Sequence, residues 1–365
     1  MKEGWEKKKL GEVAEIEYGT RVVQKKDGGT LYPVYGGGGA TFRMDTYNRE
    51  DRMVIARFAM SPQCTRYVNG KFFLNDSGLT VSPNNKELKQ DYLDRALFSL
   101  NNKIYSLGKG AAQKNLDMKA FKEMLIPVPP LSVQESIVSE LDMLSGIISK
   151  HKALQEEYDR LEQSIFYDMF GDPVTNEKGW EVKKLEEVAS IGTGSTPDRK
   201  NESYYNGNIP WVKSTEVCNE EIFKTQEYIS EEALTHSNCT IYPKDCILMA
   251  MYGQGKTRGQ VGILRIEACT NQAVAAIIHD KTINTTFLFE QLKHKYHDIR
   301  AMANGCNQSN LNLSIVKSIK IIVPPLSLQQ SFADKISAIE QMKAKNKAAQ
   351  EEAEMLFNER MAYYF

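Results

Sequence analysis

The residues of this chain best suited to chemistry lie in polar loops rich in Gly, Arg, Lys, Asn, Gln and Ser. Arg and Lys match guanine edges and phosphates, and Asn and Gln match adenine edges, so such loops are typical of nucleic-acid contacts. For any single residue, a solvated surface loop is the simpler interpretation. The candidate contacts are Gly36, Gly37, Gly38, Gly39, Arg43, Arg57, Ser61, Gln63, Arg66 and Asn75 in the first half, and Lys213, Ser214, Tyr252, Gln254, Gly255, Lys256, Thr257, Arg258, Asn271 and Gln272 in the second.

Other chemistry finds little support in the spacing of residues. The segment Gly253–Thr257 suggests a phosphate-binding loop, but that loop requires glycine five residues before Gly255, and Ala250 stands there. The segment Val128-Pro129-Pro130-Leu131 lacks the amide and the aromatic residue that flank Pro-Pro in adenine methyltransferases. We therefore expect neither nucleotide hydrolysis nor methyl transfer from this chain.

Histidine and cysteine spacing does not favour a metal site. His294 and His297 would lie on adjacent helical turns without a third ligand nearby, so two solvated histidines are the simpler interpretation. No two cysteines form a C-x-x-C pair, and reduced thiols are expected. The cysteines are Cys64, Cys218, Cys239, Cys246, Cys269 and Cys306.

The charge of the chain is unevenly distributed. The first 124 residues carry 21 Lys+Arg against 15 Asp+Glu, whereas Gln134 to Phe170 carries 3 against 8. A basic first segment favours a polyanionic partner, but an excess of this size is also ordinary surface chemistry, so both interpretations stay open. No apolar run is long enough for a signal peptide or a membrane span, which predicts a cytoplasmic protein.

The elements that must position the loops occur twice in the sequence. The segment Val128-Pro129-Pro130-Leu131-Ser132 returns 195 positions later as Val323-Pro324-Pro325-Leu326-Ser327, and a helical pattern follows each copy. A duplicated unit of globule and long helix accounts for the whole chain. Two further pairs of segments repeat, at offsets of 175 and 195: Trp5–Ile16 with Trp180–Ile191, and Gly110–Leu116 with Gly305–Leu311.

Each helical pattern has a predicted start and an apolar stripe. The prolines delay the helix, and Ser132 and Ser327 are natural N-caps, with Glu135 and Gln330 completing capping boxes. The stripes favour a coiled coil between the two helices over separate docking on two globules. The stripe residues are Ile137, Leu141, Leu144, Ile148, Leu154, Tyr158, Leu161 and Ile165 in the first helix, and Phe332, Ile336, Ile339, Ala349, Ala353 and Leu356 in the second.

Inside each globule, short extended runs alternate with turn residues, which predicts a sheet-rich α+β domain with long loops. One helix is expected in each globule, over Asp91–Asn101 and Thr286–Met302. The expected strands are Leu31–Tyr35, Met53–Phe58, Arg66–Leu74 and Leu79–Ser82 in the first globule, and Ile209–Val212, Cys246–Tyr252, Gly259–Ile266 and Ala273–His279 in the second.

With this plan, the full chain resembles the specificity subunits of type I DNA restriction–modification systems. The likeness rests on the two Pro-Pro-Leu-Ser helices and the W-x-x-K-K-L-x-E-V-A openings at Trp5 and Trp180. It also rests on loop elements typical of target-recognition domains, which are Tyr32–Gly39, Ile209–Val212 and Thr270–Ala273. Such domains often continue with Arg-Gly where this chain has Arg57-Phe58, which leaves the role of Arg57 in doubt.

The resemblance implies an α+β fold with two target-recognition domains, each followed by a long helix, and an antiparallel coiled coil with pseudo-two-fold symmetry. The implied divisions are 1–124 and 171–320 for the domains and 125–170 and 321–365 for the spacer helices. Each domain would read one half of a split DNA site. About 37 helical residues at ~1.5 Å each span ~55 Å, enough for a helical turn or more of duplex.

The resemblance also implies partners and cofactors. The chain itself would be non-catalytic and bind no cofactor, while two methyltransferase subunits would flip and methylate adenine with S-adenosylmethionine. Restriction or translocase subunits, where present, would use ATP and magnesium. Three alternatives stay open: a related system with nuclease and methyltransferase in one chain, a coiled-coil scaffold whose globules ignore DNA, and an enzyme whose site the sequence does not reveal.

Overall fold

The computed structural model of the protein describes residues 5–111, 113–253, 255–304 and 310–365. The chain divides into two compact units, Met1–Leu154 with Asn346–Phe365 and Gln155–Lys345. Both divisions fall inside the long helices, so each unit holds one globule, the first part of one long helix and the last part of the other. The predicted Gln254 contact, Cys306 and the start of the Gly305–Leu311 motif lie outside the described residues.

The first unit is built on a mixed sheet with strand order β2-β7-β5-β6-β3-β4. Its strands are β1 Lys7–Lys9, β2 Ala14–Tyr18, β3 Tyr32–Tyr35, β4 Ala40–Met44, β5 Arg49–Ala56, β6 Thr65–Leu74, β7 Gly78–Pro83, β8 Gly108–Lys109, β9 Asn115–Leu116 and β10 Leu125–Pro127. Its helices are α1 Leu10–Val13, α2 Gln24–Asp27, α3 Gln90–Ser99, α4 Asn101–Ser106, α5 Met118–Lys122 and the first part of α6 Leu131–Phe170.

The second unit has one sheet in the order β12-β19-β16-β17-β14 and another in the order β15-β13-β18. Its strands are β11 Val182–Lys184, β12 Ala189–Thr193, β13 Ile209–Val212, β14 Glu221–Ile222, β15 Glu227–Ile229, β16 Ile247–Ala250, β17 Val261–Leu264, β18 Cys269–Thr270, β19 Val274–His279 and β20 Lys320–Ile322. Its helices are α7 Glu231–His236, α8 Thr285–His294, α9 Tyr296–Asn304, α10 Leu313–Ser318 and the first part of α11 Leu326–Tyr364, besides 3-10 turns at Leu185–Glu187, Glu202–Tyr205 and Ser214–Glu216.

Each expected strand overlaps a strand of the structure, with ends that differ by up to four residues. The prediction of a single helix over Thr286–Met302 is wrong, because the structure has two helices there, α8 and α9. Lys295 lies at this break, and its buried ammonium donates to the Pro173 carbonyl at 3.0 Å.

Both long helices begin two residues earlier than N-caps at Ser132 and Ser327 predict. Helix α6 starts at Leu131 and α11 at Leu326, directly after the second proline. Ser132 is therefore an exposed residue of the first turn, and the N-cap predictions at Ser132 and Ser327 are wrong. The Pro130 carbonyl accepts from the Gln134 amide at 3.0 Å and the Pro325 carbonyl from the Gln329 amide at 3.2 Å, so the second proline of each pair already supplies the first helical acceptor.

Within each unit, α6 and α11 pack side by side and antiparallel. In the first unit, Glu140 pairs with Arg360 at 2.8 Å, and the Asn346 side chain donates to the His151 carbonyl at 2.9 Å. In the second unit, Glu162 pairs with Lys343 at 3.1 Å, and the rings of Phe166 and Phe332 are 5.6 Å apart. Contact positions fall along α11 as they rise along α6, which confirms the predicted antiparallel pairing.

The buried stripes of the two helices coincide at the repeat offset of 195. Ile137, Leu141 and Leu144 are buried in α6, and Phe332, Ile336 and Ile339 are buried at the equivalent positions of α11. The predicted members Ile148 and Leu154 are half-buried.

Two members of the predicted stripe beyond Ile148 are exposed, whereas Tyr158 and Ile165 are half-buried and Ala353 is buried. Leu161 and Leu356 are 43% and 40% exposed, so both predicted seam positions are wrong, whereas their neighbours Glu162 and Phe357 are buried and half-buried. The step of six from Ile148 to Leu154 breaks the alternation of three and four residues that keeps one face of a helix toward its partner. The polar residues His151 and Glu162 occupy seam positions, so a search for apolar residues does not find these positions.

Each globule also packs on the end of the other long helix. In the first unit, Phe365 is buried beside Tyr92, with ring centroids 5.3 Å apart. In the second unit, Phe170 is fully buried beside Phe287 at 4.7 Å. These aromatic contacts lie 195 positions apart, so the duplication includes the packing of each helix end on a globule.

Candidate nucleic-acid interface

In the first globule, the end of a parallel strand pair brings together two predicted contact segments. Strand β3 runs parallel to β6, with Tyr35 opposite Leu74. Parallel strands end at the same edge of a sheet, so Gly36 and Asn75 emerge together, and the Asn75 amide donates to the Tyr35 carbonyl at 2.8 Å.

The Gly36–Gly39 turn divides into a buried part and an exposed part. Gly36 and Gly37 are buried, and the Gly37 amide donates to the Ser77 hydroxyl at 3.1 Å. That hydroxyl donates in turn to the Asn75 side chain at 2.6 Å. Gly38 and Gly39 are exposed, so the turn offers bare backbone at its outer end.

Two arginines lie beside this turn. The Arg57 guanidinium lies 4.7 Å from the ring centroid of Tyr18 and 4.5 Å from that of Phe58, which orients its planar fork. An Arg66 nitrogen lies 3.5 Å from the position that a side chain on Gly39 would take. Within the described ranges, neither guanidinium forms an ion pair, so both keep their charge available for an anionic partner.

The remaining first-globule candidates are less clearly placed. Ser61 and Gln63 are exposed in the loop that follows Arg57, and the Ala56 amide closes this loop on the Cys64 carbonyl at 2.8 Å. Arg43 is on β4, where its guanidinium donates to the Leu31 carbonyl at 2.6 Å. Arg43 therefore has a local structural bond of a kind that the described residues do not give to the guanidinium groups of Arg57 and Arg66.

The second globule builds the same edge. Strand β13 runs parallel to β18, with Val212 opposite Thr270, and the Asn271 amide donates to the Val212 carbonyl at 3.0 Å. The Asn271 side chain accepts from the amide two residues on at 3.1 Å, as Asn75 does at 2.9 Å. Asn75 and Asn271 thus shape equivalent turns.

The two cationic loops are also structural equivalents. The loop after Ala250 closes when the Ala250 amide donates to the Gln260 carbonyl at 2.9 Å, as the loop after Ala56 closes on Cys64. Met251 donates to Ala273 at 2.8 Å, as Arg57 donates to Ser77 at 2.8 Å. The Arg57–Gln63 and Tyr252–Arg258 predictions therefore identified one loop in two copies.

Helix α9 holds the second loop in place. The Tyr296 hydroxyl donates to the Lys256 carbonyl at 2.6 Å, and Arg300 donates to the Arg258 carbonyl at 2.8 Å. The Lys256 side chain and Gly255 are exposed, while Thr257 and Arg258 are half-buried. The loop therefore presents one ammonium group to solvent on an anchored backbone.

Two second-globule candidates have partners within the protein. The Lys213 ammonium pairs with Glu227 at 2.6 Å, and Arg199 pairs with the same carboxylate at 2.6 Å. Lys213 and Arg199 hold the pKa of Glu227 below its usual value, so this acid stays ionised. The Gln272 side chain accepts from Thr196 at 2.5 Å, whereas Ser214 forms the start of a 3-10 turn.

Sequence reasoning missed a strand end that lies against both edges. Thr20 donates to the Leu74 carbonyl at 2.9 Å, and Ser195 donates to the Thr270 carbonyl at 3.0 Å. A side chain on the preceding Gly19 or Gly194 would lie within 1.9 or 1.8 Å of a backbone oxygen. The signal was available, because Tyr18-Gly19-Thr20 and Thr193-Gly194-Ser195 keep the 175-residue offset of the repeat.

The histidines do not behave as two solvated residues. His294 packs against Phe166 with tilted rings whose centroids are 4.3 Å apart, and burial lowers the pKa of His294 to about 4. His297 is exposed on α9. Across the described residues, no cluster of His, Cys, Asp and Glu has the makings of a metal site, and no helix has the length and apolarity to cross a membrane.

Comparison with known proteins identifies the family. The family model for the type I restriction modification DNA specificity domain matches residues 2–158 and 177–355. The two matched segments correspond to the two copies of the globule and its helix. The chain therefore belongs to the type I restriction modification DNA specificity family.

Individual relatives support this assignment. The MjaIX type I restriction enzyme specificity subunit of Methanocaldococcus jannaschii is 29% identical over 180 residues, 48% of this chain and 41% of that protein. A putative type I restriction enzyme specificity subunit of Haemophilus influenzae is 26% identical over 351 residues, 91% of this chain and 87% of that protein. In several curated relatives, including the MjaIX subunit, the match covers less than two thirds of the relative's length.

A solved structure shares the fold. The S subunit of a type I restriction-modification system from M. genitalium superposes with a TM-score of 0.64 at 17% identity, covering 99% of this chain and 96% of that one. Similarity at this identity establishes the α+β architecture with its paired long helices and leaves function to the family assignment.

Proposed function

We propose that this chain is the DNA specificity subunit of a type I restriction–modification system, and that its two globules read the two halves of a split site. The observation that carries the proposal is the edge built twice, at Tyr35–Asn75 and at Val212–Asn271, by equivalent hydrogen bonds. A duplicated frame that carries different side chains suits two half-sites of different sequence.

The contacts are assigned by their freedom to meet DNA. Arg57 and Arg66 beside exposed Gly38 and Gly39 form the contact set of the first globule. The set of the second globule is Tyr252, Gly255, Lys256, Thr257 and Arg258. Gln254, which lies outside the described residues, and Asn271 and Gln272, whose side chains accept bonds within the globule, stay predicted contacts beside this set. Ser61 and Gln63 extend the first set, whereas Arg43, Lys213 and Ser214 contribute mainly by shaping their globules. A guanidinium fork suits guanine, and exposed lysine and glycine suit phosphate.

The chain acts by positioning its partners. Two methyltransferase subunits supply S-adenosylmethionine chemistry on adenine, and restriction subunits supply ATP-dependent cleavage, so the chain itself carries no catalytic group. Residues 1–124 and 171–320 serve as the recognition domains, and 125–170 and 321–365 serve as the spacer. The complex works in the cytoplasm, where its DNA substrate lies.

Binding across a salt series tests the proposal. The probes are genomic DNA fragments enriched on the chain in complex with the modification subunit of its own system. Phosphate contacts predict a steep linear fall of log K with log salt concentration, together with enrichment of one split sequence. A scaffold that ignores DNA would give neither the slope nor the sequence. DNA affinity without sequence preference would contradict specificity.

A further inference from the structure

A buried glutamine occupies the fourth position of each long helix. Gln134 and Gln329 have no solvent-exposed surface, and they lie 195 residues apart at equivalent positions of the repeat. A primary amide has two donors and two acceptor sites, and burying it without partners costs free energy. The partners of these amides therefore show what each glutamine does.

In the first unit, Gln134 connects the helix start to the globule. Its Nε2 donates to the Pro129 carbonyl at 2.8 Å and to the Glu87 carbonyl at 2.7 Å. Its Oε1 accepts from the Lys89 amide at 2.9 Å. Pro129 lies at the helix start, while Glu87 and Lys89 belong to the segment of the globule that leads into α3.

In the second unit, Gln329 repeats every one of these bonds. Its Nε2 donates to the Pro324 carbonyl at 2.8 Å and to the Thr282 carbonyl at 3.2 Å. Its Oε1 accepts from the Asn284 amide at 2.8 Å. The sequence separations are the same in both copies, at 5, 47 and 45 residues.

This geometry fixes an angle as well as a contact. The amide is planar, and its three bonds join the proline at the helix start to one segment of the globule that is 45–47 residues away in sequence, so the helix start cannot rotate against the globule without breaking one of them. Every partner is a backbone group, which makes the clamp independent of the side chains that differ between the globules. The neighbours predicted for capping, Glu135 and Gln330, are exposed.

We propose that Gln134 and Gln329 are positioning residues that set the angle between each recognition globule and the helix that leaves it, and so determine which separation of half-sites the complex accepts. The inference rests on the proposed function and deepens it. It assigns spacing selectivity to the two helix starts as well as to helix length.

The test uses methylation sequencing in cells that carry the full chain and the modification subunit. Gln134→Glu keeps the acceptor but loses both donors, and Gln134→Met removes all three bonds at similar volume. Ser136→Ala, on an exposed position of the same helical turn, is the matched control. Gln329→Glu repeats the test from the second globule. Thermal unfolding of each purified chain measures the separate effect on stability.

A positioning role predicts a changed gap with unchanged bases. The ratio of methylation at sites whose gap differs by one base pair to methylation at the original gap should rise about tenfold in each variant, which corresponds to about 1.4 kcal/mol. Ser136→Ala should leave the gap distribution as in the natural chain.

A merely structural role predicts another pattern. Methylation would then fall in equal proportion at every gap, complete loss included, and that result would overturn the inference. If the natural chain itself left no split methylated motif, the proposed function would fail, and the inference with it. Binding of purified complexes to duplexes with lengthened and shortened gaps distinguishes these results independently of expression level in cells.

Discussion

The two recognition edges share a backbone and differ in charge. In the first globule, Arg57 and Arg66 lie beside the turn without an acidic partner among the described residues. In the second, Lys213 and Arg199 are tied to Glu227, and the exposed cation is Lys256 on the anchored loop. Both copies therefore have the same hydrogen-bonded frame, whereas the cationic side chains available for recognition differ between them.

The seams of the paired helices also differ in charge between the two units. In the second unit, the seam holds Glu162 and Lys343, and the 195-residue offset places Phe357 and Ile148 at the equivalent seam positions of the first unit. Burial raises the pKa of Glu162 to about 7 even beside this lysine. One copy thus has an apolar seam where the other has a charged layer.

Breaking the shared frame should have the largest effect. Gly19→Ala and Gly194→Ala each place a methyl group against a backbone carbonyl, and we expect a loss of about 2–4 kcal/mol in the free energy of unfolding. Gly38→Ala, at an open position with no neighbour within 4 Å, should change it by less than about 0.5 kcal/mol. Chemical denaturation of the three variants provides the comparison. Equal stability of Gly19→Ala and Gly38→Ala would refute the close approach.

Removing the charged layer in two steps tests the difference between the seams. Lys343→Ile alone leaves Glu162 buried without its cation, which should cost about 3 kcal/mol at pH 8. Adding Glu162→Phe reproduces the residues of the first unit and should recover most of that loss. Thermal unfolding measures both variants. A double variant as unstable as the single one would show that the pair is not coupled.

The pH dependence of Glu162 has a defined sign. Its pKa is higher in the folded chain than the usual 4.5, so its contribution to stability is greatest below about pH 4.5 and is lost as pH rises through about 7. Glu162→Gln should therefore gain stability relative to the natural chain between pH 5 and pH 8, as followed by thermal unfolding at about one-unit intervals. A constant difference across this range would contradict the raised pKa.

Arg57 should matter for the bases read by the first globule. Arg57→Ala should weaken binding by about 1–3 kcal/mol and relax the preference at a base position of one half-site. Arg57→Lys keeps the charge but loses the planar fork, so it should retain salt dependence and still relax the preference. Binding to duplexes with single-base changes separates these effects. Full specificity in Arg57→Lys would show that Arg57 contacts phosphate only.

Replacing Lys256 should have the smallest effect on DNA binding and should leave the sequence preference unchanged. Lys256→Ala should lower the slope of log K against log salt by about one unit and weaken binding to all sequences alike. Lys213→Ala, whose ammonium already pairs with Glu227, is the matched comparison and should lower the slope less. The inverse order would show that Glu227 releases Lys213 when DNA binds.

The architecture of the fold could be predicted from the sequence because local sequence patterns determine it. The repeats at offsets of 175 and 195, the Pro-Pro starts and the alternating strands follow from periodicity and from the backbone limits of proline. The seam positions of His151 and Glu162 could not be found in this way, because a search for apolar residues ignores a half-buried histidine and a buried glutamate. The break at Lys295 coincides with a buried bond from its ammonium to the distant Pro173 carbonyl, a contact that local propensity does not predict.

The candidate site was predictable in part for the same reason. Gly, Arg and Asn loops identify segments that avoid regular structure, and those segments do meet at Gly36 and Asn75. Composition cannot distinguish an unpaired cation from a paired one, so Lys213 and Arg57 are equivalent candidates by sequence. Only the structure shows that Glu227 pairs with Lys213. The sequence does not identify Gln134 and Gln329 as special, because a glutamine in a helix is ordinarily exposed. Only the fold shows three backbone partners around each of them.

Methylation sequencing of cells that carry the natural chain, the Arg57→Ala variant or the Lys256→Ala variant tests the central claim most directly. The account predicts one split methylated motif for the natural chain. Arg57→Ala should degrade the base preference in a single half of it, while the other half and the gap are retained, and Lys256→Ala should reduce methylation without altering the motif. Loss of preference in both halves from Arg57→Ala, or a continuous motif without a gap, would contradict a separate reading of each half by one globule.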